Sequence, residues 1–301
     1  MGKVLSLSGL AVAGLAVVAG MTALRFTLAP RMPALFPTTV ARLGWWWCLT
    51  LFAAAAVFFG KVPLLGGLGL ASFLALKEYF TIIPSRQADR DGIWLSYMSI
   101  PFVLYYVWSG WYGMFVLTVP VYVFLLLPIV LAVRSERGGI LLSLSRIGFG
   151  VMLLVYCLGY VGYLYVLDPR WFLTVVLLTE FADQVQVPLS RLAGGAPLPI
   201  EEETGLRKSA RGVLLSAGLV VPACVALGPF NGWQPLHSVV VGALIPLLAA
   251  LGSLVVYSVR VDIGIAGAGA LVPGSGLMLD RMRALCYTAP ILFHYLRYFH
   301  T

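Results

Sequence analysis

Few residues of this 301-residue chain are able to do chemistry, because only 11% of them are charged. Two groups stand out by type and spacing. In the run VLLTEFADQVQVPL, Glu180, Asp183 and Gln186 recur every three residues and therefore share one face of a helix. If that run crosses a bilayer, each carboxylate costs on the order of 2.5–3.5 kcal/mol at its centre, so the pair must face protein, water or a cation. One reading is a helix end emerging into water towards Pro188 and Arg191; the other is a cation or phosphate-metal site. The second group closes the stretch from Gly252 to Leu285, GSLVVYSVRVDIGIAGAGALVPGSGLMLDRMRAL. An apolar run reaches Arg260, gives way to a glycine-rich segment with Pro273-Gly274 that cannot continue a helix, and ends at Asp280-Arg281 before the next apolar run.

Carboxylates and guanidinium groups of this kind suit phosphate chemistry, in which several negative charges must be brought together. Asp183 and Asp280 are candidate metal ligands. Arg281, Arg260, Arg207 and Lys208 are candidate phosphate partners, and the loop around Gly274 and Gly276 can offer backbone N–H groups. The plainer alternative for Asp280-Arg281 is an interfacial ion pair that closes the loop.

The elements that must position these groups follow from composition. With 60% hydrophobic residues and a mean hydropathy of +0.95, the chain reads as an integral membrane protein. Apolar runs of helical spanning length, and no ten-residue alternation, predict an all-α polytopic bundle of about 8–10 transmembrane helices. The candidate spans are 4–24, 45–60, 63–82, 93–110, 112–133, 147–166, 171–190, 212–229, 237–259 and 283–299. The four cysteines lie inside apolar runs, which indicates neither a disulfide frame nor a zinc site.

Basic residues set the orientation. With the N-terminus outside, fifteen of the twenty Lys and Arg fall in segments 25–44, 83–92, 134–146, 191–211 and 260–283, which are thereby predicted to be cytoplasmic. Both termini then face the non-cytoplasmic side. The net charge of +8 needs no partner beyond anionic lipid, and no basic cluster interleaved with aromatics argues for nucleic acid. Trp45, Trp46, Trp47, Trp108 and Trp111 read as interfacial anchors, and Gly159 and Gly162 as a close-packing face. His237, His294 and His300 read as satisfied or interfacial rather than as ligands.

Three segments resemble the phosphatidate cytidylyltransferases: ASFLALKEYFTIIPSRQADRDG, WYGMFVLTVPVYVFLLLPIVLAV and LDRMRALCYTAPILFHYLRYF, within a likeness running from about residue 70 to the C-terminus. Asp183 and Gln186 match that family's intramembrane Asp-x-x-Gln. Pro273, Gly274, Gly276, Asp280 and Arg281 match its Pro-Gly-His-Gly-Gly-x-x-Asp-Arg-x-Asp signature. The resemblance implies CMP transfer from CTP to phosphatidate, giving CDP-diacylglycerol and pyrophosphate with Mg²⁺ as cofactor. It assigns Asp183, Asp280 and Arg281 to catalysis, with Asp183 and Asp280 as metal ligands. Gln186, Arg260, Arg207, Lys208, Gly274 and Gly276 fall to substrate binding. Residues 1–62 are expected to form N-terminal spans and 63–301 the cytidylyltransferase-like domain. Such a bundle is also compatible with a homodimer.

The departures from the family pattern are specific. Ser275 replaces the signature histidine, Leu277 its second glycine and Arg283 its final aspartate. Arg260-Val261 replaces Lys-Arg, Ala266-Gly267 replaces Lys-Asp, and Ser253 stands where many members are acidic. The Ser-Pro-x-Lys-Thr motif is not recognisable in PLPIEEETGLRKSARG. Two functions follow: a cytidylyltransferase of phospholipid synthesis, or a catalytically silent relative that binds lipid or a partner. A transporter is the weaker third reading, since no internal repeat of interrupted spans is visible.

Overall fold

A computed structural model describes residues 40–134, 138–201, 207–264 and 278–300, together with positions 9, 14, 15, 18, 19, 22 and 23. The candidate span 4–24 and the loop bearing Gly274 and Gly276 therefore lie mostly or wholly outside the described residues. Within them the chain is helical apart from one small hairpin. The helices are α1 (Val40–Phe59), α2 (Lys61–Ile82), α3 (Arg90–Ser109), α4 (112–134), α5 (140–167), α6 (Pro169–Ala193), α7 (Ala210–Asn231), α8 (Pro235–Asp262) and α9 (Leu279–His300). Wider π-type turns at Thr118–Val123 and Met152–Cys157 interrupt α4 and α5 without ending them. Five of the helices are long and apolar enough to cross a membrane: Tyr112–Val133, Ile140–Leu167, Pro169–Ala193, Ala210–Asn231 and Pro235–Asp262. The protein is thus an all-helical, polytopic membrane bundle. Its outer surface is apolar, with Phe58, Trp94, Phe102, Leu125, Ile129 and Leu214 all exposed, as a bundle that meets lipid requires.

Local sequence explains where the helices begin and end. Asp168 caps α6 by accepting the Arg170 N–H at 2.8 Å, and Pro169 takes the first helical position, where its missing donor costs nothing. The helix then runs through Pro188 to Gly194, whose φ of 58° ends it. Ser209 caps α7 through the Gly212 N–H at 3.1 Å, and left-handed Gly232 closes that helix. Before Ser209 the chain pairs β1 (Pro197–Glu201) with β2 (Arg207–Ser209), antiparallel, with Pro197 opposite Ser209. The sequence reading contained no strand; Pro197 and Pro199 keep β1 out of a helix, so pairing is the way its backbone is satisfied.

Side-chain to backbone bonds tie the short connections into two ends. At one end Lys61 reaches the Trp108 carbonyl, Tyr163 the Tyr106 carbonyl, and Arg170 and Trp171 the carbonyls of Phe230 and Asn231. At the other, Arg86 binds the Gly138 and Gly139 carbonyls, Arg146 the Pro84 carbonyl, and Tyr79 the Arg146 carbonyl. Glycines set the closest approaches. A Cβ on Gly159 would press on Phe115 and Val103, and one on Gly162 on Val107, which bears out the close-packing face expected there. A Cβ on Gly252 would overlap the Arg283 carbonyl, so α8 and α9 meet backbone to backbone at that point.

Candidate functional site

The two sequence groups converge where α6, α8 and α9 meet β2. Asp183 lies on α6, Ser253 and Arg260 on α8, Asp280 and Arg283 in the first two turns of α9, and Lys208 on β2. The hairpin delivers Lys208 into the bundle, where its side chain is 0% exposed. Its ammonium has three protons and three acceptors: Asp183 Oδ1 at 2.6 Å, Gln186 Oε1 at 2.9 Å and Ser253 Oγ at 2.9 Å. A buried charge is tolerable only when paired and hydrogen-bonded in this way. Gln186 uses its amide to reach the Pro246 carbonyl at 2.7 Å, and Ser253 also approaches Asp183 Oδ1 at 3.0 Å. Glu180 and Asp183 are 2% and 9% exposed, so the face expected from their spacing turns into the bundle and not into water.

A second cationic group stands between the carboxylates. One terminal nitrogen of Arg283 lies 3.4 Å from Asp183 Oδ2 and the other 3.5 Å from Asp280 Oδ1. Arg260 donates to the remaining Asp280 oxygen at 2.6 Å. Among the described residues, Asp183 and Asp280 are therefore met by three cations, Lys208, Arg260 and Arg283. Glu180 lies one turn from Asp183, accepts the Trp45 indole N–H at 3.1 Å on one oxygen, and has no hydrogen-bond partner on the other among the described residues. The guanidinium groups of Arg281 and Arg283 are close enough for their charges to act on it. Trp45 thus does more than anchor the helix at an interface: it joins α1 to the polar centre.

Not every expected residue enters the cluster. Arg207 is exposed on β2, one position before the buried lysine, and Arg281 is half-buried in the first turn of α9. Gly274 and Gly276 lie outside the described residues. Glu78, which the sequence reading assigned no role, is buried on α2 and accepts the backbone N–H groups of Met278 and Leu279 at 2.8 and 3.1 Å, capping α9. Its position in an otherwise apolar run was the available signal. Two of the three histidines are satisfied as expected, His237 bonding the Tyr295 hydroxyl at 2.7 Å and His294 the Tyr160 hydroxyl at 3.2 Å, while the His300 side chain lies outside the described residues.

Comparison with known proteins decides the family. The chain matches the Cytidylyltransferase family over residues 40–299. It belongs to that family. It is also similar to the uncharacterized protein YnbB of Escherichia coli (strain K12), with 28% identity over 265 residues, covering 85% of this chain and 87% of that protein. Lys208-Ser209, a lysine followed by a hydroxyl residue, divides its work between the site and the helix that follows. The lysine reaches Asp183 and the hydroxyl caps the following helix.

The donor set also bears on the Mg²⁺ that the family resemblance implies. No group of three or more His, Cys, Asp or Glu side chains stands together among the described residues. More tellingly, the space a divalent ion would take between Asp183 and Asp280 holds the Arg283 guanidinium, which cannot lose its proton. The residues present do not fit a divalent ion between those two carboxylates.

Proposed function

We propose that this protein is a phosphate-binding member of the cytidylyltransferase family whose site engages an anionic lipid of the phosphatidate class, with cytidylyl transfer from CTP lost or reduced to a trace. One observation carries the reading. Arg283, standing where the family signature has its final aspartate, neutralises both retained carboxylates. Transfer to phosphate depends on positioning and on neutralising charge at the reacting oxygens. A site in which three cations meet Asp183 and Asp280 still attracts phosphate, whereas it no longer gathers a metal to activate it. In this reading Arg260, Arg281 and Arg207 draw in the anionic headgroup, and the buried Lys208 ammonium adds its charge to their field without reaching the ligand. The basic segments 191–211 and 260–283 lie on the cytoplasmic side of a bacterial inner membrane.

A second reading is favoured by what is kept. Asp183, Gln186 and Asp280-Arg281 match positions of the family pattern, and Asp183, Lys208 and Asp280 meet in one cluster. In an active enzyme a phosphatidate oxygen would bond to the α-phosphorus of CTP while the α–β phosphoanhydride bond breaks, releasing pyrophosphate and leaving CDP-diacylglycerol.

Turnover by the purified protein with CTP and phosphatidate separates the two. The expected result is CDP-diacylglycerol formation several powers of ten below that of intact-motif relatives, with binding to phosphatidate vesicles retained. Replacing Ser253→Asp, Ala266→Lys, Gly267→Asp, Ser275→His and Arg283→Asp together should raise the rate, while single replacements do little, because residues acting as a unit are not additive. Full turnover by the wild type, abolished by Asp280→Asn, would overturn the silent reading.

A further inference from the structure

We infer that the Arg283 guanidinium is a built-in substitute for a divalent cation, so that anionic phosphate binds this protein without metal. The inference deepens the phosphate-binding reading and rests on it for the ligand, but its metal arm stands alone.

The argument begins with geometry. A metal shared by Asp183 and Asp280 would sit between them, about 2.0–2.6 Å from each oxygen. The Arg283 guanidinium stands between the same two carboxylates, one terminal nitrogen 3.4 Å from Asp183 Oδ2 and the other 3.5 Å from Asp280 Oδ1. Two carboxylates hold its side chain and a neighbouring helix holds its backbone. Arg283 is 6% exposed, its carboxylate partners come from α6 and from its own helix, and the α8 backbone at Gly252 packs directly on its carbonyl. Swinging the guanidinium aside would therefore leave a buried charge without its counter-ions, which is costly.

Charge makes the same point. Asp183 already accepts the Lys208 ammonium at 2.6 Å, and Asp280 already accepts Arg260 at 2.6 Å. A dication entering here would meet three cations at close range in a buried site, where water screens poorly. A phosphate meets the reverse. It adds negative charge beside Lys208, Arg260 and Arg283, and arginine presents a planar fork suited to phosphate oxygens. Metal and phosphate, which cooperate in a carboxylate-lined site, are thus predicted to compete or to be indifferent in this one.

The test uses the full-length protein in detergent and two probes. Mn²⁺ alone, followed by electron paramagnetic resonance, reads the metal site: the wild type should bind no Mn²⁺ in the micromolar range, and Arg283→Asp should acquire a site that Asp183→Asn in the same chain removes. Arg283→Gln, which keeps volume and polarity, guards against a variant that fails to fold, and it should also bind Mn²⁺ more tightly than the wild type. Phosphatidate in phosphatidylcholine vesicles reads the ligand: its binding to the wild type should change less than twofold between EDTA and millimolar Mg²⁺. Wild-type Mn²⁺ binding that Asp183→Asn abolishes, or a tenfold gain in phosphatidate binding on adding Mg²⁺, would overturn the inference. Absence of phosphatidate binding with or without Mg²⁺, alongside the expected Mn²⁺ results, would instead overturn the phosphate-binding reading and leave the metal substitution standing.

Discussion

Glu78 caps Leu279. A carboxylate near the end of α2 accepts the N–H of Leu279 at 3.1 Å and that of Met278 at 2.8 Å, two hundred positions away in sequence. The contact fixes the start of the helix whose first two turns carry Asp280, Arg281 and Arg283. Loss of a helix cap costs about 0.5–2 kcal/mol, and buried N–H groups left unmet add about 1–3 kcal/mol. Glu78→Ala should therefore lower the thermal midpoint in detergent clearly, whereas Glu78→Gln, which retains an acceptor oxygen, should lower it much less. Equal effects of the two would show that the cap is not what Glu78 contributes.

The Lys208 ammonium makes a sharper test of the cluster. Lys208→Met removes one member of a buried ion pair and should destabilise by about 3–5 kcal/mol. Adding Asp183→Leu should recover a large part of that loss, because the orphaned carboxylate goes with it. Denaturant unfolding in mild detergent measures both variants. A double variant no more stable than Lys208→Met would mean that the two charges are not coupled as the 2.6 Å contact implies.

Acid should weaken the turn between α2 and α3. Burial works against the Asp89 charge, but the Ser143 hydroxyl, the Arg86 N–H at 2.8 Å and the Arg86 guanidinium outweigh it and hold this carboxyl below its ordinary range. A carboxyl lowered by folding stabilises the protein above its unfolded value, about 3.9, and that contribution fades as pH falls through the folded value. Wild-type thermal stability should then drop below about pH 4 more steeply than that of Asp89→Asn. Parallel pH profiles for the two proteins would reject this.

Labelling tests the orientation. Ala196 is exposed beside the hairpin, and Ser109 is exposed at the connection between α3 and α4. With the cysteines of the chain replaced, Ala196→Cys should react with a membrane-impermeant maleimide only in permeabilised cells, and Ser109→Cys in intact ones. The reverse pattern would invert the topology drawn from the basic residues. Ser209, although in the same polar segment as Ala196, is 3% exposed and unsuitable as a probe.

Much of this architecture can be read from residue types. The long apolar runs, the three-residue recurrence of Glu180, Asp183 and Gln186, and the Gly159 and Gly162 face each reflect one dominant force acting along one helix. What escaped depends on contacts between distant segments. Lys208 reads as a phosphate partner on a polar loop, because nothing local reveals that a two-stranded turn carries it into the bundle to pair with Asp183. Trp45 looked like an interfacial anchor, since its partner Glu180 lies 135 positions away. Arg283 could be aligned to a signature aspartate, but its place between two carboxylates required the packing of α9 on α6 and α8.

The contact of Gly252 with Arg283 reaches further than packing. Because the two main chains set the spacing there, the residue at 283 hangs from a fixed point whichever side chain it carries. Exchanging arginine for aspartate at that point is therefore expected to alter the charge between Asp183 and Asp280 while the main chains of α8 and α9 keep their spacing. The bundle is in that sense a socket of constant shape. It offers protein engineers one scaffold on which metal-requiring and metal-free versions can be compared directly.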